Sequence, residues 1–207
     1  PLTSIMGYLD LALEEEDKMP AYVATSLRVA QRNSEKLLEL VSDLLSAAAG
    51  PSSIERAPAD LAELLRSALT SAAPQAEISK VQLVADFPWS LPAVLDPQRV
   101  GQVIDNLLSN AVKYSPDGGR VTVRAWSTAD TIAFEVSDTG IGMTKAEQAE
   151  VFTKFFRSGT SRKAAIPGVG LGLVISKNIV DAHGGTITPS SEAGKGTVFR
   201  VRLPKLA

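Results

Sequence analysis

Apolar residues recur at spacings of three and four from the start of the chain. Leu2, Ile5, Met6, Leu9 and Leu13 predict an amphipathic helix. A turn is expected at Asp17–Pro20, then a second helix from about Ala21 to Ala48 with Leu27, Ala30, Leu37, Val41, Leu44 and Leu45 on its apolar side. So long a stripe exceeds what one short partner helix can cover. The hairpin is therefore expected to self-associate into a dimeric four-helix bundle, with packing on the chain's own second half as the competing arrangement. Gly50-Pro-Ser-Ser ends the helix as a short linker, dividing the chain into residues 1–50 and 51–207.

Beyond the linker the pattern alternates. Asp60 is placed to cap a helix over Leu61–Ala73. Val81–Asp86 is predicted as a strand, and Asp96 or Pro97 opens a helix reaching Tyr114. Pro116-Asp-Gly-Gly119 marks a turn, and Val121–Trp126 and Ile132–Ser137 alternate as a strand pair joined around Ala129-Asp130. Met143–Pro167 is a long segment, helical near Glu147–Phe152 and then polar and basic. Gly168–Ala182 is predicted as a helix, with Thr186–Pro189 and Thr197–Leu203 closing the chain as strands. The expected class is α+β: a helical hairpin followed by an α/β sandwich whose mixed, mostly antiparallel sheet carries helices on one face.

Composition narrows the function classes. A chain of 207 residues suffices for one domain with an appendage or for two small domains. The net charge of −2 gives no sign of nucleic-acid binding, and the lack of cysteine excludes disulfides and thiolate metal sites. No apolar run approaches the ~18 residues needed to span a bilayer. A cytoplasmic location is expected, with membrane attachment only through a longer parent.

Four polar and glycine-bearing segments, each at a predicted junction, hold the candidate chemistry. Asn106 and Asn110 stand one helical turn apart, with Lys113 and Tyr114 continuing their face. Two neutral amide oxygens suit a hard cation otherwise liganded by phosphate oxygens, which describes magnesium bound to ATP. Lys113 adds positive charge for the phosphates, and Tyr114 can lie along a base or sugar. As ordinary surface amides the asparagines would mean nothing, and only the downstream segments lift them above that. Asp138-Thr-Gly-Ile-Gly142 follows a strand: its carboxylate can accept from the adenine amino group, and Gly140 and Gly142 would let the backbone approach the base. A self-capped Asp-Thr-Gly turn would look the same.

Gly168-Val169-Gly170-Leu171-Gly172 leads into a helix, where unobstructed backbone amides form an anion site for a triphosphate. Its G-x-G-x-G spacing and the absence of a surrounding βαβ unit argue against a dinucleotide fold. Gly194-Lys-Gly-Thr197 is a turn before the last strand. Val151–Arg157 places Phe152, Phe155 and Phe156 in a loop, as an apolar latch for a cover that closes over nucleotide, with Arg157 reaching the γ-phosphate. A small satellite core under the loop would also keep these aromatics. His183, the one histidine, is read as structural, complementing a helix C-terminus before Gly184.

Together these segments resemble the catalytic core of bacterial two-component sensor histidine kinases, across essentially the whole chain. Asn106–Tyr114 is similar to that family's N-box, Asp138–Gly142 and Gly168–Gly172 to its first two glycine boxes, Val151–Arg157 to its F-box, and Gly194–Thr197 to its last glycine box. The resemblance implies catalytic roles for Asn106, Asn110, Lys113 and Arg157, and Asn106 and Asn110 as metal ligands. It implies nucleotide contacts from Asn110, Lys113, Tyr114, Asp138, Gly140, Gly142, Phe156, Arg157, Gly168, Val169, Gly170, Leu171, Gly172 and Thr197. The implied cofactors are ATP and Mg2+, and the implied partners a second copy through the hairpin and the receiver domain of a response regulator. Residues 1–8 resemble the stretch just downstream of the phosphoacceptor histidine, which is expected immediately upstream of Pro1. The related hydrolysing enzymes, DNA gyrase and Hsp90, place a water-activating glutamate where this chain has Asn106, which favours transfer over hydrolysis. An ATP-hydrolysing switch and a non-enzymatic docking dimer are the alternative readings.

Overall fold

The computed structural model describes residues 2–48, 54–157, 159 and 169–205. The chain separates into two compact units, Pro1–Ala48 and Ala49–Ala207. In the first, helix α1 (Leu2–Glu14) and helix α2 (Ala21–Ala48) are joined through a 3-10 turn at Glu16–Lys18. Gln31 Nε2 donates to Asp10 Oδ1 at 2.6 Å, and Arg28 pairs with Glu16, fastening the two helices together. Among the described residues of this unit only Ala24 is buried, while Ile5, Leu11, Val29, Leu37 and Val41 remain exposed. The hairpin alone cannot cover its own stripe. The side chains of Leu2, Leu44 and Leu45, and the linker at residues 50–53, lie outside the described residues.

The second unit contains β1 (Ala57–Asp60), α3 (Leu61–Ile78), β2 (Val81–Asp86), β3 (Pro92–Leu95) and α4 (Pro97–Lys113). It continues with β4 (Gly119–Ser127), β5 (Thr131–Asp138), α5 (Lys145–Glu150), α6 (Gly172–Ala182), β6 (Thr186–Glu192) and β7 (Gly196–Pro204). Five strands form a sheet in the order β2-β4-β5-β7-β6. Only β2 and β4 run parallel; the other neighbours are antiparallel. The class is α+β with a mixed, mostly antiparallel sheet.

The pleat sorts the residues of this sheet. Val121 and Val123 of β4, Phe134 and Val136 of β5, and Val201 and Leu203 of β7 are buried. Residues of opposite parity pair by charge: Arg124 with Asp86 at 2.8 Å, and Arg200 with Glu135. Helix α4 presents Val100, Val103, Ile104, Leu107, Leu108 and Ala111, all buried, at spacings of three and four. Truncating Leu107, 1% exposed, to alanine removes packing worth about 2–5 kcal/mol. Asp96 starts α4 by accepting from Arg99 N–H at 3.0 Å, with Pro97 at the first helical position, where its missing donor costs nothing.

Two expectations needed correction, and one pair of strands was not expected. Helix α3 does not stop at Ala73 but runs through Pro74 to Ile78, because Ala76 is buried and Ser79 N–H closes the end on the Gln75 carbonyl. Strands β1 and β3 pair with each other away from the main sheet, where Pro58 and Pro92 are tolerated. The last helix begins at Gly172 rather than Gly168, which lies outside the described residues.

Candidate functional site

Helix α4 places Asn106 and Asn110 one turn apart, and α6 approaches from the other side. Asn106 Nδ2 donates to Ser176 Oγ at 2.7 Å, and Asn110 Nδ2 donates to Asn106 Oδ1 at 3.3 Å. The start of α6 lies so close that a Cβ on Gly172 would collide with Asn106 Oδ1. Asn106 is thus held at both ends of its carboxamide. With its nitrogen turned toward Asn106, Asn110 directs its own carbonyl oxygen away from Asn106.

Lys113 and Tyr114 close the helix, with the Lys113 ammonium 5.6 Å from the centre of the Tyr114 ring. Burial raises the Tyr114 phenol above its ordinary value, against the opposing charge of Arg157. Asn110, Lys113 and Tyr114 therefore share the C-terminal end of α4.

Asp138 lies at the end of β5, 8% exposed. Its Oδ1 accepts from Gly140 N–H at 2.9 Å and from Thr197 N–H at 3.2 Å, so the Asp138 loop and the β6–β7 turn meet on one carboxylate. Burial pushes its carboxyl up to about 6, against the opposing pull of those two N–H groups. The glycines of this loop let it pack closely on neighbouring backbone. A Cβ on Gly140 would strike the Tyr114 carbonyl, and one on Gly142, at φ +62°, would strike the Glu192 carbonyl. On the side where a Cβ would stand, both glycines meet protein backbone. Ile141 N–H donates to the Tyr114 carbonyl at 3.0 Å, and Gly194 N–H to the Ile141 carbonyl at 2.8 Å.

The aromatic segment divides. Phe152 packs edge-on against Phe199 of β7, centroids 6.5 Å apart, as a satellite of the core. Phe155 is exposed at φ +63°, an uncommon conformation for a bulky residue. Its N–H donates to the Gly170 carbonyl at 3.0 Å, and Gly170, itself at φ +79°, fits against the Phe156 backbone. Phe155 and Phe156 are thereby brought to Gly170, and Leu171 is buried. The basic run after Arg157 lies, apart from Gly159, outside the described residues.

Sequence reasoning missed Ser176, the partner of Asn106. It also missed Ser191, whose Oγ accepts from Met143 N–H at 2.8 Å and meets Thr197 Oγ1 at 2.9 Å. Ser176 lies seventy residues from Asn106 and Ser191 forty-eight from Met143, and no local pattern marks them. Among the described residues no group of three or more His, Cys, Asp or Glu side chains is placed to hold a metal ion.

Residues 95–207 match the family described as histidine kinase-, DNA gyrase B-, and HSP90-like ATPase. The chain belongs to that family. It is 36% identical to the circadian input-output histidine kinase CikA of Synechococcus elongatus over 86% of its own length and 24% of the relative's. It is 34% identical to the sensor histidine kinase WalK of Bacillus subtilis, over 99% of this chain and 34% of that one. It therefore spans about a quarter to a third of the length of those curated relatives. The structure of full-length ShkA in complex with AMPPNP superposes on 99% of this chain and 44% of its own, at a TM-score of 0.82 and 28% identity. Among these relatives the chain is a histidine kinase catalytic core. Among the described residues no helix is long and apolar enough to cross a membrane.

Proposed function

We propose that the chain binds Mg-ATP in the cleft between α4, the Asp138 loop and the start of α6. There it would transfer the γ-phosphoryl group to a histidine on the dimerisation helix, for relay to an aspartate of a response regulator. Residues 1–50 serve as the dimerisation and phosphotransfer hairpin and 51–207 as the ATP-binding domain. Two copies join through the exposed stripe of α1 and α2 as a four-helix bundle in the cytoplasm, and any membrane anchor belongs to a longer parent.

The observation that carries this reading is the state of Asn106. A hydrolysing relative needs a carboxylate at this position to activate water, and here a carboxamide is clamped between Ser176 and Asn110. With no base aimed at water, positioning and charge neutralisation remain as the chain's contributions, which suit phosphoryl transfer to a presented side chain. Asn110 supplies an amide oxygen to the metal, and the ion would neutralise phosphate charge. Asn106 holds Asn110 in place. Lys113 and Arg157 balance the phosphate oxygens, and the amides of Val169–Gly172 face the anion at the start of α6. Tyr114 lies along the nucleoside, with Asp138 accepting from the adenine amino group. Phe156, Gly140, Gly142 and Thr197 shape the walls.

Isothermal calorimetry tests this. The chain is expected to bind ATP in a magnesium-dependent way, and Asn110→Ala is expected to lose that magnesium dependence with its melting temperature nearly unchanged. A chain extended upstream to include the acceptor is expected to take up acid-labile phosphate from labelled ATP. Steady phosphate release without such labelling would instead establish the hydrolysing switch.

A further inference from the structure

His183 closes α6, and its ring is buried, the residue only 3% exposed. Both ring nitrogens are engaged. Nδ1 lies 2.8 Å from the Ile179 carbonyl, and Nε2 accepts from the Asp96 N–H at 3.1 Å. A backbone N–H can only donate, so Nε2 is the bare nitrogen and the proton sits on Nδ1. A histidine serving the helix end by its charge alone would need no such acceptor role. Asp96 is itself the cap of α4: its Oδ1 accepts from Arg99 N–H and its Oδ2 from Glu55 N–H, each at 3.0 Å. The start of α4 is thereby stapled to the end of α6.

Ten residues along α4 from Asp96, about 15 Å at 1.5 Å per residue, the two helices touch again. That second contact is Asn106 against Ser176 and Gly172. Two rods joined at one point can still pivot about it; a second point removes that freedom. Resting on the reading of α4 as the nucleotide-holding helix, we propose that His183 is a positioning residue for nucleotide binding. It fixes the axial register of α4 against α6, and through that register the contact of Asn106 that aims Asn110.

Two substitutions separate this from simple capping. A glutamine carbonyl reaches the place of Nε2, so His183→Gln keeps an acceptor for the Asp96 N–H. An asparagine amide takes the place of Nδ1, so His183→Asn keeps the Ile179 bond and leaves that N–H unpaired. With a fluorescent ATP analogue and magnesium, at a temperature where circular dichroism shows both variants folded, His183→Asn is expected to bind about fivefold or more weakly, the order expected for one unsatisfied buried donor. His183→Gln is expected to bind as the wild type does. Equal wild-type affinity in both variants, with only the melting temperature lowered, would overturn the proposal. Should His183→Asn fail to fold, the imidazole 15N spectrum of the wild type decides. A protonated Nδ1, a bare Nε2 and a shift of the Asp96 amide on saturation with Mg-ATP support the strut; a protonated Nε2 or an unmoved Asp96 amide overturns it. A wild-type chain that binds no nucleotide overturns the functional reading itself, a result distinct from binding that ignores residue 183.

Discussion

Replacing Asp138 with asparagine is expected to stabilise the unit Ala49–Ala207 near neutral pH while weakening its hold on ATP. The carboxyl is pushed by burial to about 6, from an ordinary value of 3.8. The folded protein keeps this proton where the unfolded chain has already released it. The group therefore favours folding fully below about pH 4, and that contribution is lost as pH rises through about 6. About two pH units at about 1.4 kcal/mol each make the cost of carrying the charged form on the order of 3 kcal/mol. Asparagine has no charge to desolvate, and its oxygen can still accept from Gly140 and Thr197, though less strongly than a carboxylate does.

Urea unfolding followed by tryptophan fluorescence measures the difference, since both tryptophans, Trp89 and Trp126, lie in this unit. The stability gap in favour of Asp138→Asn is expected to widen by about 2 kcal/mol between about pH 4.5 and pH 8. ATP affinity is expected to fall about tenfold, because the new amide nitrogen would confront the donors of the adenine amino group. A gap that stays constant across that range, or a variant less stable than wild type at the upper end, would refute the reasoning.

Gly172→Ala drives a methyl group into the fixed Asn106 carboxamide. A loss of about 1–3 kcal/mol by thermal denaturation is expected, with weaker magnesium-dependent nucleotide binding by calorimetry; unchanged values would mean that Asn106 yields freely. Asp60→Ala removes the cap of α3, where one carboxylate accepts from Ala62 N–H at 2.8 Å, Leu91 N–H at 2.9 Å and Ser90 Oγ at 2.6 Å. About 1–2 kcal/mol should be lost near neutral pH. The bond from Ser90, chief among these, holds the Asp60 carboxyl below its usual value, so its contribution is present above the ordinary carboxylate range and lost as pH falls through it. Melting temperatures measured down to acid pH should converge for wild type and variant.

Helix α4 was legible almost to the residue, because an Asp-Pro start and an apolar face repeating at three and four leave little choice. The sheet followed from the alternation of β4 and from the large apolar residues at every second position of β5. Strands β1 and β3 were hidden by Pro58 and Pro92, and the continuation of α3 past Pro74 depends on burial of Ala76, a tertiary fact. At the candidate site the residue types were legible in the sequence, but their partners were not. Ser176 holds Asn106 from seventy positions away, and the carbonyl groups facing Gly140 and Gly142 belong to other elements of the fold.

The close fit of Gly140, Gly142 and Gly196 against the carbonyl oxygens of Tyr114, Glu192 and Asp138 bears on how such chains age. These glycines answer to the architecture of the loops, so a pseudoenzyme descended from this lineage would have to retain them or misfold. Asn110 answers to no such demand. In a sister protein that had abandoned signalling, the asparagine would decay first and the glycine signature would linger as a fossil.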